Sequence, residues 1–149
     1  MNALASLITA FAGFAGDQIT KKYADAELFN KKRELFGGRV TLMYCKNRGF
    51  AMNRLESDRK LVVAVSSVVF LILCAFYLKV LADDDCRPLR LGLSLVAAGA
   101  AGNVYDRIFR GGVTDFINVS FARKVVFNLA DIFIVVGALL AIAGDIVTG

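Results

Sequence analysis

Two carboxylates, Asp115 in VTDF and Asp131 in FNLAD, stand where a chain this rich in apolar residues should avoid charge. Held close in a low-dielectric site, two such groups cannot both ionise easily; one pKa rises and the pair shares a proton. One aspartate can then activate water while the other protonates a carbonyl, which is the chemistry of an aspartic protease. Asn103, Asp106 and Arg107 have i, i+3, i+4 spacing and share one helix face, and Asn128 and Asp131 share another. Asp17 and Lys21 are four residues apart in DQITK. Simpler roles stay open to several of these residues. Asp106 with Arg107, and Asp17 with Lys21, could be ion pairs at helix ends. Asn103 and Asn128 could bond neighbouring helices through their amides. Asp83 to Asp85 read as a solvated turn, and Asp145 belongs at the opposite interface.

Histidine is absent, which excludes an imidazole base, a Ser-His nucleophile pair and any His-ligated metal. The three cysteines, Cys45, Cys74 and Cys86, have no CxxC spacing, so neither a thiolate zinc site nor a disulfide framework is expected. No cofactor, metal or nucleic acid is implied.

The apolar fraction is 57%, above ordinary soluble usage. A single domain of 149 residues cannot bury that much apolar surface, whereas a polytopic membrane protein has lipid to cover it. Four apolar stretches are close to the ~20 residues that cross the hydrocarbon: residues 3–20, 61–82, 89–109 and 125–147. The first contains Ala10-Phe11-Ala12, which fits a signal-peptide cleavage site, but it lacks a basic leading region and reads as a span. With four spans, both termini lie on one side.

The segment 21–60 is long enough for structure of its own. In ADAELFNKKRELF, the pairs Leu28-Phe29 and Leu35-Phe36 are seven residues apart, which predicts an amphipathic helix on the membrane surface. After Gly37-Gly38, RVTLMYC alternates as a strand does. Residues 110–124 read as a short loop, in which Gly111-Gly112 lets Asp115 swing back toward Asp131. The 21–60 segment carries eleven of the eighteen Lys and Arg residues against five acids. Counted naively, that charge would place it in the cytoplasm.

The block GNVYDRIFRGGVTDFINV, with FNLAD at 127–131, DQITK at 17–21 and KNRGFAM at 46–52, resembles the lipoprotein signal peptidase (signal peptidase II) family. The four blocks stand in family order and, with the spans, cover nearly the whole chain. The resemblance implies a four-helix membrane aspartic protease of the bacterial cytoplasmic membrane, with a small extracytoplasmic β-cradle and a surface helix in the 21–60 segment. Its active site would open outward. It would act as a monomer among membrane lipids, cutting lipid-modified prolipoproteins just before the diacylglyceryl cysteine. By position, Asp115 and Asp131 correspond to the catalytic pair. Asn47, Asn103, Asp106, Arg107 and Asn128 correspond to supporting polar positions, and Asp17 and Lys21 to a structural or lipid-contacting pair. Phe50-Ala51-Met52 and Ile132 depart from the family's common Ala-Ala-Phe and Ser; these positions bear on pocket shape and substrate preference. Two rivals remain: a divergent paralogue that binds lipoproteins, and a subunit of an ion- or proton-coupled transporter.

Overall fold

The computed structural model of the chain describes residues 1–49, 58–83, 86, 89–122 and 124–148, with side chains up to Gly144 in the last helix. Phe50, Ala51 and Met52, the turn acids Asp84 and Asp85, and the Asp145 side chain lie outside that description.

Asn2 accepts the amide of Ala5 at 2.8 Å and starts α1, Ala3–Glu27. An Asn cap satisfies one of the amides that a helix start leaves without a partner. Asp58 does the same for α2, Arg59–Ala82, through the amide of Leu61 at 3.0 Å. At the far end of α2, the buried guanidinium of Arg90 donates to the carbonyls of Val80, Leu81 and Asp83, and to that of Met1, at 3.0–3.3 Å. These bonds satisfy the carbonyls at the end of α2 and tie it to the chain start and to α3, Leu89–Tyr105. A single π-helical turn, Asp106–Arg110, follows α3, and the last helix is α4, Leu129–Thr148.

Helix α3 is central and meets α1, α2 and α4. Its contact with α4 is backbone to backbone. A Cβ on Gly92 would collide with the main chain of Gly137 and Ala141, and one on Gly99 with the carbonyl of Ala130. Small residues allow this approach. Against α2, Tyr77 and Val80 pack on Leu93 and Ala97, and the Tyr77 hydroxyl meets Ser94 Oγ at 2.8 Å. The outward faces are apolar: Leu71 and Ile72 on α2, Val135 and Leu139 on α4, and Ile8 and Phe11 on α1 are all exposed. Asp17, Lys21, Asp106 and Asn128 are wholly buried. Among the described helices, α2 is long and apolar enough to cross a membrane, and the Leu129–Gly144 part of α4 is apolar but shorter.

Among the described residues, four antiparallel strands lie in the order β1 (Lys32–Leu35), β2 (Val40–Asn47), β3 (Val113–Val119) and β4 (Val126–Phe127). The strand expected over 40–45 is therefore present. The surface helix is not: Ala24–Glu27 finish α1, and residues 32–35 form the edge strand β1. Asn30, at φ 59°, interrupts the helical path. Leu28 packs with Ala24 and Phe116 under the sheet, while Phe29 stacks on Tyr44 at 5.3 Å. The apolar pairs thus serve a helix end and a hairpin. Residues 113–119, expected as loop, form β3, because pairing with β2 satisfies their backbone groups across a long separation in sequence.

Candidate active site

The π-helical turn after α3 ends at Gly111, whose φ of 74° is left-handed and suits glycine. The amide of Gly112 returns to the Asp106 carbonyl at 3.3 Å, and the chain reverses into β3. Asp115 stands third in that strand, opposite Cys45 of β2.

Asn128 starts α4 and fixes both acids. Its side-chain oxygen accepts the amide of Asp131 at 3.0 Å, while Asp131 Oδ2 accepts the amide of Asn128 at 3.0 Å. This is a reciprocal capping box, which satisfies two otherwise orphaned donors. Asn128 Nδ2 donates to Asp115 Oδ1 at 2.6 Å. Asn47 Nδ2 donates to the other Asp115 oxygen at 3.3 Å, and Asn103 Nδ2 to Asp131 Oδ1 at 2.9 Å. Arg107 donates to the Asn103 carbonyl at 3.3 Å and lies within electrostatic reach of Asp115, Asp131 and Asp106.

Beneath the pair, the Lys21 ammonium is within 2.9 Å of Asp17 Oδ2, 3.0 Å of Asp106 Oδ2 and 2.9 Å of Asn103 Oδ1. Its charge thus faces two carboxylates and one amide oxygen. The second oxygen of Asp17 accepts the amide of Ala130 at 3.0 Å, so α1 also caps α4. Asp17 and Lys21 are therefore interior residues and not a helix-end pair. Asp106, expected to pair with its neighbour Arg107, reaches across to Lys21 and one turn on to Arg110, at 3.4 Å. Asn103 and Asn128 do bond between elements, as their amides allowed. The nine candidate site residues, Asp17, Lys21, Asn47, Asn103, Asp106, Arg107, Asp115, Asn128 and Asp131, gather in one network.

Burial is the main force on Asp115, and the charge of Asp131 adds to it. The Asn128 and Asn47 bonds and the charge of Lys21 oppose them. The Asp115 carboxyl ends pushed up to about 6. Asp115 and Asp131 border a cavity of about 600 Å³ with Asn47, Asn103 and Arg107. Its remaining wall is apolar, with Ile117, Val119, Phe121, Val126 and Ile132 among its residues.

A second link was not foreseen. Lys46 donates to the Thr114 hydroxyl at 3.2 Å, and that hydroxyl donates to Asp25 Oδ1 at 3.0 Å. Burial pushes the Lys46 ammonium down, with Asp25 opposing. The available signal was helical spacing: Asp17, Lys21 and Asp25 recur every fourth residue and form one polar stripe.

A pair of aspartates clamped by asparagines, beside a largely apolar cavity, can activate water against a peptide held near lipid. The family described as "Signal peptidase (SPase) II" matches residues 9–147. A lipoprotein signal peptidase of Caldicellulosiruptor bescii is 38% identical over 133 residues, 89% of this chain and 85% of that protein. One of Streptococcus pneumoniae is 34% identical over 125 residues, 83% and 80% of the two chains. One of Clostridium novyi is 33% identical over 132 residues, 86% and 88%. A bacterial membrane enzyme solved by the in meso method at 2.3 Å shares the fold, with a TM-score of 0.80 and 24% identity over 95% of this chain and 87% of that one. A second, solved at 1.9 Å, gives a TM-score of 0.78 and 25% identity over 93% and 90%. The chain belongs to the signal peptidase II family of lipoprotein-processing proteases.

Proposed function

We propose that Asp115 and Asp131 are the catalytic pair with which this lipoprotein signal peptidase cuts a diacylglyceryl-modified prolipoprotein just before its lipidated cysteine. The observation that carries this reading is the double grip of Asn128, 2.6 Å from Asp115 and 3.0 Å from Asp131. Asp115, buried and raised to about 6, holds the shared proton; Asp131 serves as the base. Asp131 takes a proton from water as the water oxygen attacks the scissile carbonyl carbon. Asp115 gives its proton to the carbonyl oxygen. When the tetrahedral intermediate collapses, the C–N bond breaks. The leaving nitrogen takes the proton from Asp131, and a hydroxyl of the intermediate returns one to Asp115. The pair is restored.

Arg107 and Asn47 stand at the cavity to hold the peptide and the acids. Asn103, Asn128, Asp106, Asp17 and Lys21 hold the pair in place; the complete burial of Asp17 and Lys21 favours a structural role over lipid contact. We read the chain as one integral domain of residues 1–149 whose four helices span the bacterial cytoplasmic membrane, with both termini inside and the sheet and cavity on the outer side. The apolar outward faces and buried ionic network support that reading. The protein works as a monomer, with prolipoproteins and membrane lipids as its partners. Family membership removes the transporter alternative.

The test is a gel assay of purified protein on a lipidated prolipoprotein. Asp115→Asn and Asp131→Asn should each abolish cleavage while the protein still folds. Cleavage near the parent rate by either variant would remove the catalytic assignment, and a parent protein that binds the substrate without cutting it would favour a lipoprotein-binding paralogue.

A further inference from the structure

Beyond the catalytic pair, the far end of β3 meets the β1–β2 turn at an exposed apolar edge. Asp115 faces Cys45, and four residues further along β3, roughly 13 Å, Val119 faces Val40. There the amide of Ser120 donates to the Arg39 carbonyl at 2.9 Å, joining the β1–β2 turn to the turn after β3. Each turn displays a phenylalanine: Phe36 is 79% exposed and Phe121 92%. Phe36 has φ 52°, which a bulky side chain seldom adopts, and Gly37 and Gly38 continue the positive-φ path. The turn thus holds an apolar ring away from the protein, at a conformational cost that packing within the chain does not repay.

Exposed cations stand near these rings and along the edge strand β1, whose start, Lys32, lies opposite Met43 toward the catalytic end. Arg39 follows Phe36 in the same turn, Lys124 lies beyond Phe121, and Lys31, Lys32 and Arg33 lie on the same hairpin. From Leu28 to Val40 there are four cations and one acid, Glu34. Val119 and Phe121 also line the cavity of the catalytic pair, so the apolar wall beside the acids runs out to this edge.

We propose that this edge, made by Phe36 and Phe121 with Arg39, Lys124 and the hairpin cations, docks the sheet onto an anionic lipid surface and brings the open end of the cavity to the bilayer. Exposed phenylalanines flanked by basic residues bury their rings at the boundary between headgroups and acyl chains. Basic side chains beside them are attracted to anionic headgroups. The concentration of positive charge in a segment read as extracytoplasmic then has a physical use. The inference rests on the membrane-spanning reading above, and its test separates the two.

The chain contains no tryptophan, so Phe36→Trp, Phe121→Trp and Leu71→Trp each supply a lone fluorophore. Leu71, 65% exposed on α2, reports on the span. The proteins are reconstituted into phosphatidylglycerol vesicles containing lipid brominated along the acyl chain. All three tryptophans should be quenched, those at 36 and 121 most strongly by bromine near the ester end. Arg39→Gln/Lys124→Gln should raise KM for a lipidated substrate at least threefold in phosphatidylglycerol and leave it unchanged in phosphatidylcholine, with kcat steady. If Leu71→Trp is quenched while the other two respond only to aqueous iodide, docking is overturned and the spanning reading stands. If Leu71→Trp also escapes bromine, the spanning reading falls and the docking with it. Equal KM shifts in both lipids would overturn the anionic assignment.

Discussion

The Lys21 ammonium stands 2.9 Å from the side-chain oxygen of Asn103, and this fixes which way the Asn103 amide points. An ammonium only donates, so the oxygen must face it and the NH2 group must face Asp131, 2.9 Å away. Asn103→Ala should therefore lower kcat roughly ten- to a hundredfold, the worth of a hydrogen bond to a charged group, with little change in KM. Lys21→Met should instead lower stability by about 3–5 kcal/mol, because Asp17 and Asp106 stay buried without their cation. Thermal unfolding in detergent together with steady-state kinetics separates the two effects; a Lys21→Met protein as stable as the parent would contradict the buried ion network.

Activity should follow a bell in pH, because the pair must hold one proton between its two acids. The alkaline limb marks loss of that proton. In Arg107→Gln the limb should move upward, since a cation facing both acids has gone. A pH–rate profile on one lipidated substrate decides this, and a fixed limb in a folded, active variant would confine Arg107 to binding.

Stability carries the matching sign. Asp115 has a pKa of about 6 in the folded chain and about 4 when unfolded, so its ionised form opposes folding. The penalty is absent below about pH 4, grows between the two values and is complete above the folded pKa, reaching roughly 3 kcal/mol. The stability of Asp115→Asn relative to the parent should rise by up to that amount from pH 4 to pH 7. A flat difference would show that Asp115 does not titrate in this window.

Gly99→Ala should lower both stability and kcat. The new methyl group meets the Ala130 carbonyl in the first turn of α4, next to Asp131. Overpacking of this kind costs about 1–3 kcal/mol. Gly16→Ala is the control, since nothing lies within 4 Å of its added Cβ. Equal kcat for the two variants would show that α3 does not set the position of Asp131.

The hairpin should lie outside the cytoplasm. On a background lacking Cys45, Cys74 and Cys86, Asn30→Cys should react with a membrane-impermeant thiol reagent in intact cells. Labelling only after permeabilisation would reverse the orientation proposed here.

The site was more legible in the sequence than the scaffold around it. Asn128 and Asp131, three apart at the start of an apolar run, could be placed on one face, and the alternation of Val40, Leu42 and Tyr44 marked a strand. The seven-residue spacing of Leu28-Phe29 and Leu35-Phe36 was ambiguous, because each pair had a different partner. One packs under the sheet and on Tyr44, and the other closes a hairpin. The strand around Asp115 was hidden for another reason. Its register with β2 bridges about seventy residues of sequence, and local periodicity carries no information at that range. Thr114 and Asp25 were missed likewise, since a hydroxyl shows its worth only when the groups it joins are both in view.

The capping of α4 by Asn128, Asp131 and Asp17 also makes the amides of Ala130 and Asp131 an internal gauge. Both are held by side chains of the site itself. Fraying of that first helical turn and disassembly of the catalytic pair are one event, so the exchange rate of those two amides should rise in step with loss of turnover as the protein is warmed or its network cut, and a bound peptide that steadies the acids should slow both.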